Sequence, residues 1–300
     1  MRAMILIMFW TTLPIGIVPN VVGDESALAA RMKELGGVVV EKNGWVTELS
    51  FRDSSALHDE EWKQIGQLSH LKKLTTYGKA HGLNDQTVGY LLDLEQLESL
   101  STDGAQLSDA GLAQLAGMKK LRSAAFFHLS FRMEGFTGEG FRAWKELKSL
   151  ERLTVAGMSM GDDGFAAISE ITSLQELSTW HTYQTEAGNA HIVRLPHLRY
   201  LKLGQRLPRR KGLPPSLSDA TIRTLTQMPA VEKLQIGEAR LTFDALVQLK
   251  SLKTLKELTI YSTDIPVIQI DALRKEMSGV KIRHEPITPE QKSRLDSYLQ

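Results

Sequence analysis

Two dipeptides, Phe127-His128 and Trp180-His181, each set an imidazole next to a large aromatic ring. An imidazole near neutral pH can serve as acid, base or metal ligand, and a neighbouring ring can form the wall of a ligand site. Six aspartates, Asp85, Asp109, Asp162, Asp163, Asp219 and Asp244, add carboxylates that would suit a calcium site or a pair of acid catalysts. The chain has no cysteine, so thiolate nucleophiles and thiolate metal ligands are excluded. It also shows no nucleophile elbow, Walker loop, zinc-spaced histidine pair or dinucleotide fingerprint. What the imidazoles and carboxylates can do therefore depends on the elements that bring them together.

Those elements repeat. Leu49, Leu74, Leu100, Ala124, Leu153, Leu177, Leu201, Leu234, Leu258 and Ile282 recur at intervals of 25, 26, 24, 29, 24, 24, 33, 24 and 24 residues. In the eight units anchored from Leu74 to Leu258, the positions three and six before the anchor are always apolar, as in Leu68 and Leu71 or Ile171 and Leu174. The unit beginning at Leu100 alternates like a short strand and then spaces Leu112, Leu115, Met118 and Leu121 like a short helix. Neither element can bury its apolar side alone, so units must stack into a parallel sheet with helices outside. The bulkier helices curve the stack and leave the sheet on the inner face. A stack of this kind grows without a second core, so 300 residues form one elongated domain.

The pattern L-x-x-L-x-L, present as Leu150-Glu151-Arg152-Leu153-Thr154-Val155 and Leu198-Arg199-Tyr200-Leu201-Lys202-Leu203, resembles the leucine-rich repeat family over about residues 46–286. The Ser-Asp-Ala-Gly-Leu and Gly-Asp-Asp-Gly-Phe segments are similar to the T-D-x-G-L variant of exported bacterial repeat proteins and of the repeats in F-box proteins. The resemblance implies an α/β horseshoe: a leucine-rich repeat solenoid with a parallel inner sheet, short outer helices and capped ends. Where many members place asparagine, this chain has Ser54, Ala105, Met158, Thr182 and Thr263.

Residues 1–23 read as an export signal, with Arg2, an apolar run from Met4 to Val18 and small residues at Val21-Val22-Gly23. An uncleaved anchor is the other reading, although the run is short for a span. Cleavage leaves no membrane span. Residues 24–45 form an N-terminal cap: a helix from Asp24 to Leu35, stopped by Gly36-Gly37, then a hairpin turning at Asn43-Gly44. Residues 46–286 hold about nine repeats, and 287–300 form a tail in which Thr288-Pro289-Glu290-Gln291 starts a helix that would shield the last repeat. Export without cysteine fits a bacterial periplasm or cell surface.

Each aspartate lies just before a helix, so capping its own helix accounts for all six better than metal binding does. They recur one unit at a time and form a row, not a cluster. His70 and His197 occupy equivalent turns and read as turn residues. Arg206 to Pro215, in the longest interval, reads as a solvated surface loop, with an anion or partner contact as the other reading. The inner face is more distinctive. Position three after each anchor gives Arg52, Tyr77, Asp103, Phe127, Ala156, Trp180, Gly204, Gly237 and Tyr261, and position four includes His128, Gly157, His181 and Glu238. With strands about 4.8 Å apart, Phe127-His128 and Trp180-His181 should stand roughly 10 Å apart as walls above a floor of Ala156 and Gly157, the other reading being that these rings pack on each other or under the insertion at residues 130–136. No carboxylate is expected to orient the imidazoles.

This surface, with Tyr77 and Tyr261 at its flanks, suits a protein or glycan ligand held by a monomer without metal or cofactor. Formal charge of +1, from 36 basic and 35 acidic residues, supplies no field for nucleic acid. The leading expectation is a non-enzymatic binding scaffold. The alternatives are a hydrolase using His128 and His181, and an intracellular F-box-like adaptor, for which too few residues precede the first hairpin to hold an F-box.

Overall fold

The structure, a computed structural model, describes residues 25–206 and 215–298. The expected export segment 1–23 and residues 207–214 of the long loop lie outside the described residues. Eleven strands form one sheet in chain order: β1 (Val38–Lys42), β2 (Trp45–Phe51), β3 (Lys73–Thr76), β4 (Ser99–Asp103), β5 (Ser123–Phe127), β6 (Arg152–Ala156), β7 (Glu176–Trp180), β8 (Tyr200–Leu203), β9 (Lys233–Gly237), β10 (Glu257–Tyr261) and β11 (Lys281–Glu285). All neighbours are parallel except β1 and β2. Anchor faces anchor throughout, from Leu49 opposite Leu74 to Leu258 opposite Ile282. The intervals of 29 and 33 therefore loop out without shifting the register, since a one-residue slip would turn every buried leucine outward.

The α-helices are α1 (Glu25–Glu34), α2 (Asp59–Gly66), α3 (Asp109–Gln114), α4 (Asp162–Ile168), α5 (Glu186–His191), α6 (Asp219–Leu225), α7 (Phe243–Val247), α8 (Val267–Glu276) and α9 (Pro289–Tyr298). Tighter 3-10 turns stand in their place at Val88–Asp93 and Glu139–Glu146. The core is one continuous cluster between sheet and helices. In the unit where Ala124 replaces the usual leucine, Phe126, Phe141 and Trp144 fill the volume with ring centroids 5.1–6.2 Å apart. Trp144 also donates its Nε1–H to the Leu112 carbonyl at 2.9 Å, which ties two units together. Among the described residues no helix is long and apolar enough to cross a membrane.

The aspartates differ from expectation. Several helix starts are capped by a hydroxyl, with Ser108 accepting from the Gly111 N–H at 3.2 Å and Thr242 from Ala245 at 3.2 Å. Four of the six aspartates, Asp85, Asp109, Asp162 and Asp219, turn along the stack and cap the following unit. Asp85 accepts from the Ser108 N–H at 2.9 Å; Asp162 from the N–H and hydroxyl of Thr185 at 2.7 and 2.8 Å; Asp219 from those of Thr242 at 2.9 and 2.7 Å. Asp109 accepts from the Thr137 N–H, the Thr137 hydroxyl and the Gly140 N–H at 2.9, 2.8 and 3.1 Å. These carboxylates are staples between units. Asp109→Ala strands three donors of the next unit and should destabilise the fold by about 1–3 kcal/mol in urea unfolding.

At the first end, Asn43 and Gly44 take φ of 54° and 82°, the pair of positive values a type I′ hairpin turn needs. Glu25 of α1 is buried and accepts from the Val46 N–H at 2.8 Å, which seats the helix on β2. At the other end the Thr288 and Gln291 side chains cap each other's backbone N–H groups. The helix that this capping box opens is α9. It turns back toward the loops after β9 and β10, where Asp296 pairs with Arg240 at 2.5 Å and Leu295 is buried beside Glu238 and Ser262. Leu295 sets this course, because a helix reading Pro-Glu-Gln-Lys-Ser-Arg-Leu needs one covered spot and not a broad apolar face.

Candidate ligand-binding face

Side chains at positions one and three after each anchor point into the concave face, because direction alternates along a strand. Tyr77 just after β3, Phe127 on β5, Trp180 on β7 and Tyr261 on β10 lie along the exit edge of the sheet. The separation of the two walls is smaller than backbone spacing alone implies. Ala156, 3 % exposed, is short enough for the rings on either side to lean across it, and the Phe127 and Trp180 centroids come to 6.2 Å. The open slot of roughly 10 Å is therefore replaced by a ridge. Tyr77 continues it, edge-on to Phe127 at 5.9 Å, and its hydroxyl accepts from Ser101 at 3.1 Å. Gly204 and Gly237 play the part of Ala156 further along: Trp180 Cβ lies against the first and the Tyr261 ring against the second. Burial, followed by the charge of Glu238, pushes the Tyr261 phenol far above its ordinary range and keeps it neutral.

The imidazoles do have carboxylates, contrary to expectation. His128 Nδ1 lies 2.8 Å from Asp103 Oδ1, one strand back, and His181 Nε2 lies 3.0 Å from Glu238 Oε1, two strands forward. Both pairings follow from the exit turn. Position four adopts positive φ at Gly78, Gly104, His128, Gly157, His181, Glu238 and Ser262, between 48° and 85°, which swings its side chain sideways along the edge. Gly157 makes room for this, since a Cβ there would meet the His128 ring at 2.7 Å. Glycine takes such a φ freely, whereas another residue carries a strain of order 1 kcal/mol. His128, His181 and Glu238 are thus held at positions where glycine would be easier.

The insertion after β5 joins the same edge. Phe131 sits edge-on to His128 at 6.1 Å, and the Arg132 guanidinium lies 5.2 Å from the Phe131 centroid. The structure brings Tyr77, Phe127, Trp180 and Tyr261 into one ridge, with His128 and His181 beside it and Ala156 and Gly157 beneath. Asp103 and Glu238 were visible in the repeat series but carried no mark of pairing. Lys202, whose ammonium lies 4.2 Å from the Trp180 centroid and 5.6 Å from that of Tyr261, sits at position one, which the aromatic series passes over. Among the described residues no group of three His, Asp or Glu could hold a metal ion.

The repeat and the sheet together define the fold of this chain as a leucine-rich repeat solenoid, with ten anchors in register along a parallel sheet. No protein-family model matches the sequence, and no curated protein matches it. Among solved structures it is similar to internalin C2 of Listeria monocytogenes, at 15% identity over 75% of this chain and 84% of that one, with a TM-score of 0.49. A second internalin of that species matches at 13% identity over 75% and 70% of the two chains, with a TM-score of 0.47. A TLR13–ssRNA13 complex matches at 15% identity and a TM-score of 0.49, covering 79% of this chain and 32% of that one, about a third of its length.

Proposed function

We propose that this chain is an exported, monomeric and non-enzymatic scaffold that binds a protein or glycan partner on its concave face, in the bacterial periplasm or at the cell surface. The observation that carries the reading is the ridge of Tyr77, Phe127, Trp180 and Tyr261, aromatic side chains placed on the solvent side of the sheet and not in the core. Tyr77 alone is 41 % exposed. Aromatic side chains lose little rotamer freedom on binding and bring large contact areas, which is why they dominate binding hot spots. Strained His128, His181 and Glu238 at the same edge support it, since strain of this kind gathers where side chains are positioned for use. Export is supported by the Arg2 and Met4–Val18 pattern.

Changing Phe127 and Trp180 together to alanine should reduce capture of partners from a cell-envelope extract at least tenfold, with circular dichroism unchanged. Undiminished capture by the folded double variant would sink the proposal. The two imidazole–carboxylate pairs favour one second reading, acid–base hydrolysis, because a carboxylate fixes the tautomer and orientation of a catalytic histidine. A pH-dependent hydrolytic activity lost on replacing His128 or His181 would decide for it.

A further inference from the structure

The concave face receives four basic side chains from β3 to β10: Lys73, Arg152, Lys202 and Lys233. Three have carboxylate partners, Lys73 with Glu48 at 3.8 Å, Arg152 with Glu151 at 3.7 Å and Lys233 with Glu257 at 4.0 Å. Lys202 has none among the described residues. Its ammonium instead rests over the Trp180 and Tyr261 rings. That contact orders the side chain and shields one side of the charge, but it leaves the three N–H donors without an acceptor among the described residues. Glu238, just after the neighbouring strand, is engaged by His181 and has its other oxygen buried against Gly204.

The opposite edge of the sheet makes the contrast. A hollow of about 1190 Å³ opens there beneath the Trp45–His70 stack and holds more charge, yet Lys72 pairs with Glu98 at 3.8 Å and Arg122 with Glu151 at 2.6 Å. A charged partner at that edge would have to replace bonds the chain already makes. At Lys202 a partner carboxylate would meet an ammonium that is held in place and uncompensated, so little ordering entropy would be lost on contact.

The shape of the surroundings favours a peptide over a sugar. A saccharide stacks on a flat aromatic face, but Lys202 lies over Trp180, Phe127 leans on that ring at 57° and Tyr77 meets Phe127 at 81°. The ridge offers edges. Beside it, position one carries Ser101, Ala125, Thr154 and Ser178 on four successive strands in register, leading straight to Lys202. That floor of small side chains and hydroxyls is about 14 Å long, room for roughly four extended residues.

We infer that Lys202 is the recognition point for a carboxylate of a protein partner, an aspartate or glutamate in an extended acidic segment laid along the Ser101–Ser178 floor. This deepens the binding-scaffold reading and rests on it. The test is titration of the full chain with N-acetylated, C-amidated pentaglutamate, followed by calorimetry. Binding should weaken at least tenfold in Lys202→Gln, persist in Lys202→Arg, and be absent for pentalysine. Equal binding by Lys202→Gln, no binding of pentaglutamate, or binding of trigalacturonate in its place would each overturn it. If capture from the envelope extract still depends on Phe127 and Trp180 while Lys202→Gln leaves it intact, the concave-face reading stands and the carboxylate assignment falls.

Discussion

Trp144→Ala is expected to lower the free energy of unfolding by about 3–5 kcal/mol, the range for removing a large buried aromatic side chain. Trp144 is fully buried, and its ring contacts Phe126 at 5.7 Å and Phe141 at 5.1 Å. The unit has no leucine at Ala124 with which to refill the cavity. The loss is also a loss between units, because the indole N–H satisfies the Leu112 carbonyl of the preceding one. A solenoid is held together by such nearest-neighbour terms, so weakening one should lower cooperativity as well as stability. Urea unfolding followed by circular dichroism should show a lower midpoint and a shallower slope. Trp144→Phe keeps most of the packing but orphans the carbonyl, and should cost only about 1–3 kcal/mol. Equal effects of the two changes would mean that the hydrogen bond, and not the volume, carries the tryptophan's contribution.

Much of this architecture was legible in the spacing of single residues. The anchors from Leu49 to Ile282 set the register of nine parallel pairings, because each buried position can face only its counterpart in the next unit. Asn43-Gly44 announced its hairpin and Thr288-x-x-Gln291 its capping box, since both are local and depend on backbone geometry alone. What could not be read depended on side-chain reach. A carboxylate at the first helical position can bend back to its own helix or forward to the next, and at Asp109 and Asp219 the hydroxyl already capping that helix, Ser108 or Ser218, leaves the neighbour as partner. Backbone spacing places Phe127 and Trp180 two strands apart, but how far the rings lean was set by the size of Ala156 between them. The His181–Glu238 contact crosses β8 and joins residues 57 apart, a pairing no local pattern signals. Position four held the nearest available clue. A site filled by Gly78, Gly104 and Gly157 in some units requires positive φ, so His128, His181 and Glu238 at the same site are residues whose side chains turn along the edge.

Gly140→Ala should be nearly as damaging as the loss of Trp144, at about 3 kcal/mol, because the helix start at Gly140 is packed against the preceding unit. At Gly111, Gly140 and Gly188 the aspartate staple holds the helix start so close to the preceding unit that a Cβ would meet it at 1.9–2.3 Å. A Cβ on Gly140 would stand 2.2 Å from the Asp109 carbonyl oxygen, a backbone atom that cannot move without shifting α3. At Gly111 the obstacle is the Asp85 carboxylate oxygen at 1.9 Å, which can swing aside at the cost of its bond to the Ser108 N–H. At Gly89, also in a helical turn, nothing lies within 4 Å, and alanine should be neutral or slightly stabilising by restricting the unfolded chain. Thermal unfolding should therefore rank the three variants, with Gly140→Ala lowest, Gly111→Ala between and Gly89→Ala at or above the parent. Equal losses at all three would mean that helix propensity, not the closeness of stapled units, dictates glycine, and the inter-unit account of the motif would fail.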